Sequence, residues 1–298
     1  MPTLLNGSGI PKLIYGTTWK GSDDLLFQAL VSGFCAFDTA STRKYHREDI
    51  DGQQLHRALL NSSNDGRTSA ITRDAVLIQT KFTPSHEHID PKPFHDDDDL
   101  FTMVLKSLER SLDDLGVDII DVYMLHGPIP KIMTVWTALE IAVRVGKVRY
   151  LGICNVDEPT LCRLHKAAEI KPAFVQNRYK RDNGFDINVR KFCAENRIVY
   201  ETFGVLGPRN SDLLQLAPVK LLAEQCGCSL EEALLQIVST SGAVEGLEIC
   251  ILTGTTRLEQ MRRDIELVAK GNANITPGIL TDYAEALRRI SADFYHVA

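Results

Sequence analysis

Eight short runs of apolar and β-branched residues recur along this chain, at Leu13–Gly16, Ala36–Asp38, Val76–Thr80, Ile119–Leu125, Tyr150–Ile153, Phe174–Gln176, Val199–Glu201 and Ile249–Leu252. Between or after them lie segments with apolar residues three or four apart, at 23–33, 49–60, 98–115, 132–145, 157–169, 186–196, 229–240 and 257–269. Strands that read as apolar runs are buried on both faces, and their alternation with amphipathic helices predicts a parallel sheet with helices between its strands. Eight of each favour a closed (β/α)8 TIM barrel, an α/β fold, over an open doubly wound sheet. No Gly-x-Gly-x-x-Gly loop supports a separate dinucleotide-binding domain, and no Pro-rich linker or repeat divides the chain. Residues 1–298 are therefore expected to form one barrel domain.

The ends add two features. LLNGSGIPKLIYG (4–16) carries Asn-Gly between apolar pairs, which predicts a short N-terminal β-hairpin plugging the barrel bottom. Residues beyond about 272 predict one further helix, a C-terminal tail. A formal net charge of -6 and no basic stripe argue against a nucleic-acid partner. MPTLLNGSGIPK has neither the basic nor the apolar region of a signal peptide, and no run reaches membrane-span length. Seven scattered cysteines then read as reduced thiols of a cytoplasmic protein. The polar stretch SHEHIDPKPFHDDDDL (85–100) tempts a metal reading, but acidic residues before a helix more simply cap its free N–H groups.

In such barrels the chemistry sits at the C-terminal strand ends. Those ends carry Thr17, Thr18 and Trp19; Asp38 with Tyr45 shortly after; Lys81; His126; Cys154 and Asn155; Gln176; and Phe203. Each has a plain reading alone: Asp38 as a helix cap, Tyr45 as a half-buried aromatic, Lys81 as a solvated cation, His126 as a core histidine. Together they suit carbonyl reduction. A free phenol has a pKa near 10 and becomes a useful acid only when its anion is stabilised, which Lys81 held by Asp38 could do for Tyr45. His126 could bond the oxygen on which negative charge develops. Trp19 follows strand one on the same face and is the better pocket wall; Trp136 lies in an apolar helical segment and is expected to pack outside the barrel.

FDTASTRKYHREDIDGQQL (37–55), VLIQTKF (76–82), DVYMLHGP (121–128) and GKVRYLGICN (146–155) together resemble the aldo-keto reductases, and the loops at 84–98, 127–131, 178–186 and 204–217 resemble those of fungal members. The resemblance runs from about residue 8 to 270. It implies a catalytic tetrad of Asp38, Tyr45, Lys81 and His126. It also implies a nicotinamide held by Asn155, Gln176 and a stacked Phe203, with Thr17 nearby, and a phosphate and adenosine clamp in ILTGTTRLEQMRRDIE (251–266) at Gly254, Thr255, Arg257, Gln260 and Asp264. The implied activity is NAD(P)H-dependent reduction of an aldehyde or ketone, or oxidation of the matching alcohol. NADP(H) is favoured, and NAD(H) stays open because Gly254 and Gln260 stand where many members carry Lys and Arg; Arg257, Arg262 and Arg263 are the remaining candidate cations. Cys154 stands where Ser is common. Two other readings use the same residues: a Schiff-base enzyme with Lys81 as nucleophile, and a cofactor-sensing regulatory module with little turnover. The implied partner is a small carbonyl or alcohol, with oligomeric state open.

Overall fold

The computed structural model describes residues 2–20, 24–61, 71–244, 246–269 and 274–297. Its eight strands are β1 (Leu13–Gly16), β2 (Ala36–Asp38), β3 (Leu77–Phe82), β4 (Ile120–Leu125), β5 (Val148–Cys154), β6 (Phe174–Arg178), β7 (Val199–Phe203) and β8 (Ile249–Thr253). All neighbours pair in parallel and in sequence order, and β1 returns to β8 in register Ile14↔Leu252, closing the barrel. The helices are α1 (Leu25–Val31), α2 (Glu48–Asn61), α3 (Leu100–Leu115), α4 (Ile132–Arg144), α5 (Glu158–Ala167), α6 (Ile187–Asn196), α7 (Ala217–Cys226), α8 (Leu230–Val244), α9 (Leu258–Ala269) and α10 (Pro277–Val297). Position 23 of the first expected helix and positions 272–273 before the tail helix lie outside the described residues. No helix among the described residues is long and apolar enough to cross a membrane.

The period of two in each strand builds the site. Ala36, Leu77, Val122, Phe174, Val199 and Cys250 share one apolar cluster with Leu4 and Ile14, which fills the barrel interior. Two residues further along β2, β3, β6 and β7, on the same faces of those strands, stand Asp38, Gln79, Gln176 and Glu201, all buried. The interior therefore changes from apolar to polar toward the C-terminal mouth. Residues of the opposite parity, such as Phe37, Ile78, Tyr123 and Val175, pack under the helices in two larger clusters. Trp136 of α4 joins that outer shell, fully buried, with its indole N–H donating to the Ile170 carbonyl at 2.9 Å.

The expected hairpin is reduced to a single antiparallel bridge, Thr3↔Gly9, around a turn in which Gly7 has φ +83°. Its function as a plug remains: Leu4 is buried in the interior cluster, and its carbonyl accepts from Arg149 at 3.3 Å. In the acidic stretch, Asp99 caps α3 by accepting from the amides of Phe101 and Thr102, while Asp96 and Asp98 pair with Lys92 and Lys106. Helix α7 was not expected, although Pro218 in its first turn and Gly227 beyond its end, at φ 62°, are ordinary start and stop residues. The tail helix α10 packs on the barrel, and Tyr283 and Tyr179 share a buried hydroxyl bond of 2.9 Å.

Helices α2 and α3 approach closely at Gly52, where a β-carbon would run into the Asp114 carbonyl oxygen and lie 2.8 Å from Leu115 Cα. Alanine in a helix is worth about 1 kcal/mol over glycine, whereas overpacking against backbone costs about 1–3 kcal/mol. Gly52→Ala is therefore expected to destabilise the protein, read as a lower denaturant midpoint; an unchanged or higher midpoint would show that the two helices separate at no cost.

Candidate active site

Lys81, on β3, reaches Asp38, at the end of β2, with Nζ 2.5 and 2.6 Å from the two carboxylate oxygens, and a third bond of 2.8 Å goes to the Thr39 carbonyl. Both side chains are nearly inaccessible to solvent, at 3% and 5% exposure. Asp38 Oδ1 also accepts from Gln79 Nε2 at 2.6 Å and Gln176 Nε2 at 3.0 Å. Burial works against its ionisation, but the Lys81 charge and these hydrogen bonds hold the carboxyl below its ordinary range.

The same two amides donate to a second carboxyl. Gln79 Nε2 lies 2.7 Å and Gln176 Nε2 2.9 Å from Glu201 Oε2, so two glutamines bridge Asp38 and Glu201 across the barrel. Burial pushes Glu201 up to about 7, and the nearby Asp38 charge adds to the effect. Gln79 Oε1 and Glu201 Oε1 are buried without a partner. A proton on Glu201 removes one of these orphan acceptors and supplies a donor.

Two imidazoles complete the wall. His126, just beyond β4, bonds Thr83 Oγ1 through Nδ1 at 2.8 Å, and its carbonyl accepts from Asn155 Nδ2 at 2.9 Å. His46 is 6% exposed, with Nδ1 unpartnered and Nε2 3.4 Å from Thr18 Oγ1. Burial, and then the Lys81 charge, push both rings down to about 3, so both are neutral at neutral pH.

These groups line a cavity of about 260 Å³ at the C-terminal mouth, together with Gly16, Thr18, Lys20, Asn155, Phe203, Leu252, Thr253 and Gly254. A second cleft of about 390 Å³ shares Leu252, Thr253 and Gly254 with it and continues past Gly204–Gly207 to Thr255, Arg257, Gln260 and Asp264. The two form one elongated groove. The structure thus brings together Asp38, Lys81, His126, Asn155, Gln176 and Phe203 in one cavity, and the five predicted clamp residues in the adjoining cleft.

Three expected residues lie elsewhere. Tyr45 does not line the cavity: its ring packs edge-on against Trp19 at 4.8 Å, and the Lys44 ammonium sits 5.0 Å from its centre. Trp19 is 75% exposed, at φ 64°, and likewise stands outside the lining. Thr17 turns its hydroxyl to Asp51 Oδ2 at 2.9 Å, leaving Thr18 to line the cavity. Sequence reasoning missed His46, Lys20, Gln79 and Glu201. The detectable signals were polar residues at inward positions of buried strands, and a histidine directly following Tyr45.

Lys20 stands across the groove mouth from β8. Its Nζ donates to the Gly16 carbonyl at 2.6 Å and would lie 3.1 Å from a β-carbon on Gly254. Burial lowers its pKa to about 8, partly offset by Asp51. At the rim, the Arg178 guanidinium stacks over Phe203 at 4.7 Å, and Arg181 pairs with Asp212.

A closed parallel barrel with a buried lysine–aspartate pair and two neutral imidazoles at its C-terminal mouth defines an enzyme-like (β/α)8 protein. The family model described as "Aldo/keto reductase family" matches residues 20–208, and the chain belongs to that family. It is similar to an "NADPH-dependent codeinone reductase 1-3" of Papaver somniferum, with 30% identity over 233 residues, 70% of this chain and 65% of the relative. The match thus spans slightly less than two thirds of that relative's length. An aldo/keto reductase of Synechocystis sp. is 26% identical over 98% of this chain and 91% of its own. Among solved structures, an aldo/keto reductase from Brucella melitensis superposes with a TM-score of 0.72 at 23% identity, covering 97% of this chain and 98% of that one.

Glu201 holds a proton in the folded state between its ordinary 4.5 and about 7, a range in which the unfolded chain has lost it. The folded state binds more protons there, so stability falls as pH rises through that window. Glu48 and Asp51, both also pushed up to about 7 by burial, act in the same direction. Glu201→Gln keeps the shape and removes the titration. Its melting temperature is expected to fall less steeply than the parent's between pH 5 and 7; equal slopes would mean Glu201 titrates as an ordinary carboxylate.

Proposed function

We propose that this chain is an NADP(H)-dependent oxidoreductase that reduces an aldehyde or ketone, or oxidises the matching alcohol, with residues 1–298 acting as one barrel domain. The observation that carries this reading is the Lys81–Asp38 pair buried beside His126 in a groove made of two adjoining clefts of about 260 and 390 Å³. The relatives whose names specify NADPH support the choice of cofactor.

The residues present fit a nicotinamide. Both Nε2 hydrogens of Gln176 go to carboxylates, which leaves its Oε1 as an acceptor, with only the Cys154 thiol near it at 3.7 Å. Asn155 uses Nδ2 on the His126 carbonyl and so also has its oxygen available. Two acceptors suit the N–H groups of a carboxamide, and Phe203 offers a ring for stacking. Lys20 supplies a cation beside Gly254, where a longer side chain would fill the space, and Arg257 stands exposed at the far end. When bound, the cofactor supplies the hydride. Lys81 and Asp38 then fix the field around the substrate oxygen, and His126 donates to it as negative charge develops. The proton that completes the alcohol comes from a donor near Lys81, for which the sequence pattern offers Tyr45 and the cavity offers His46.

Fluorescence titration with NADPH and NADH, followed by nicotinamide absorbance with a panel of aldehydes and ketones, tests the reading. Tight binding with carbonyl-dependent oxidation is expected; binding without turnover would leave a cofactor sensor, and no binding would remove the hydride-transfer reading. Lys20→Met is expected to weaken both cofactors roughly tenfold to a hundredfold, on the scale of about 1–3 kcal/mol for a hydrogen bond to a charged group. Unchanged affinities would place Lys20 outside the cofactor's path.

A further inference from the structure

We propose that His46, not Tyr45, presents its N–H to the substrate oxygen and gives it the proton; this rests on the hydride-transfer reading above. His46 is a buried side chain of the cavity that also contains Lys81, Asp38 and His126, whereas Tyr45 stands outside it against Trp19. The hydrogen it can offer is the one on Nε2, whose protein contact is Thr18 Oγ1 at 3.4 Å, long for a hydrogen bond, and Thr18 itself lines the cavity; Nδ1 is buried and has no partner among the described residues.

Lys81 adds a second argument. Its ammonium is held by the Asp38 carboxylate and the Thr39 carbonyl, with no hydrogen bond to Tyr45 among the described residues. What remains is its positive charge, which acts through space on any group lining the cavity. The charge keeps the His46 imidazole neutral and stabilises the anion left when the ring gives up its N–H. The groups that face His46 are Lys81, Asp38 and His126, with Lys81 and His126 favouring the neutral ring and Asp38 opposing them.

The step balances without a further reactant beyond water. The carbonyl carbon takes the hydride, the C=O π pair moves to oxygen, and the O–H bond forms as the His46 N–H bond breaks. The ring nitrogen then takes a proton from water entering by the cavity mouth. A neutral imidazole working as electrophile and proton donor is an established chemical role.

The test uses the full chain with NADPH and 4-nitrobenzaldehyde, and three variants checked for folding by circular dichroism. His46→Phe keeps the shape and removes the N–H; its kcat is expected to fall at least a hundredfold, the range for loss of an acid or oxyanion donor, with the NADPH dissociation constant within about threefold of the parent's. His46→Gln, which can donate a hydrogen bond but not readily a proton, is expected between the two. Tyr45→Phe is expected to lose far less kcat than His46→Phe. A readout independent of turnover comes from imidazole ¹⁵N resonances of the cofactor-free protein, where His46 is expected to stay neutral down to pH 5. A hundredfold loss in Tyr45→Phe with near-parent turnover in His46→Phe would overturn the proposal and leave the reductase reading standing, as would a His46 ring protonated at pH 6. A parent that binds NADPH but reduces no aldehyde or ketone would overturn both.

Discussion

Lys81 turns its ammonium inside the barrel toward the Asp38 carboxylate and the Thr39 carbonyl, and the polar half of the interior follows from that arrangement. A charge pair taken out of water costs several kcal/mol per ion unless its remaining bonds are satisfied. Gln79 and Gln176 meet that need by donating to Asp38 Oδ1 from two other strands. Each amide has a second hydrogen, and both second hydrogens go to Glu201. One ion pair thus draws residues from β2, β3, β6 and β7 into a single connected layer.

The same layer sets the electrical state of the mouth. One cation faces two carboxyls, and the imbalance is relieved by the second: Glu201 is pushed up to about 7, while Asp38 stays ionised beside its partner. Around this pair both histidines are neutral, because their burial and the Lys81 charge each oppose a further positive group. The wall therefore offers a substrate oxygen neutral N–H donors backed by a fixed cation. Such donors stabilise an incoming negative charge without first having to lose one of their own partners.

The barrel was legible because its signal is repeated eight times and depends only on burial of whole strands. The residues of the site that stand on strands or directly at their ends, Asp38, Lys81, His126, Asn155, Gln176 and Phe203, were legible for a related reason: a parallel strand fixes the face each side chain takes. Tyr45 and His46 lie in an irregular turn between β2 and α2, where neighbouring side chains diverge and spacing does not say which points inward. Thr17 and Thr18 form a second such pair, with the same outcome. Gln79 and Glu201 were visible as polar residues in apolar strands, but their meaning depends on the register between neighbouring strands, Gln176↔Glu201 and Asp38↔Gln79, which sequence does not display. Helix α7 was lost among the polar turns that precede it.

The two clefts meet at the end of β8. Strand β8 ends at Thr253, beside β1, and the chain then leaves the barrel through Gly254. A side chain there would meet the Lys20 ammonium, which is itself tied to the Gly16 carbonyl at the end of β1. The small residue beyond one strand and the long cation beyond its neighbour fit together: Gly254 leaves room for the Lys20 side chain, and that cation stands beside a residue that lines both clefts.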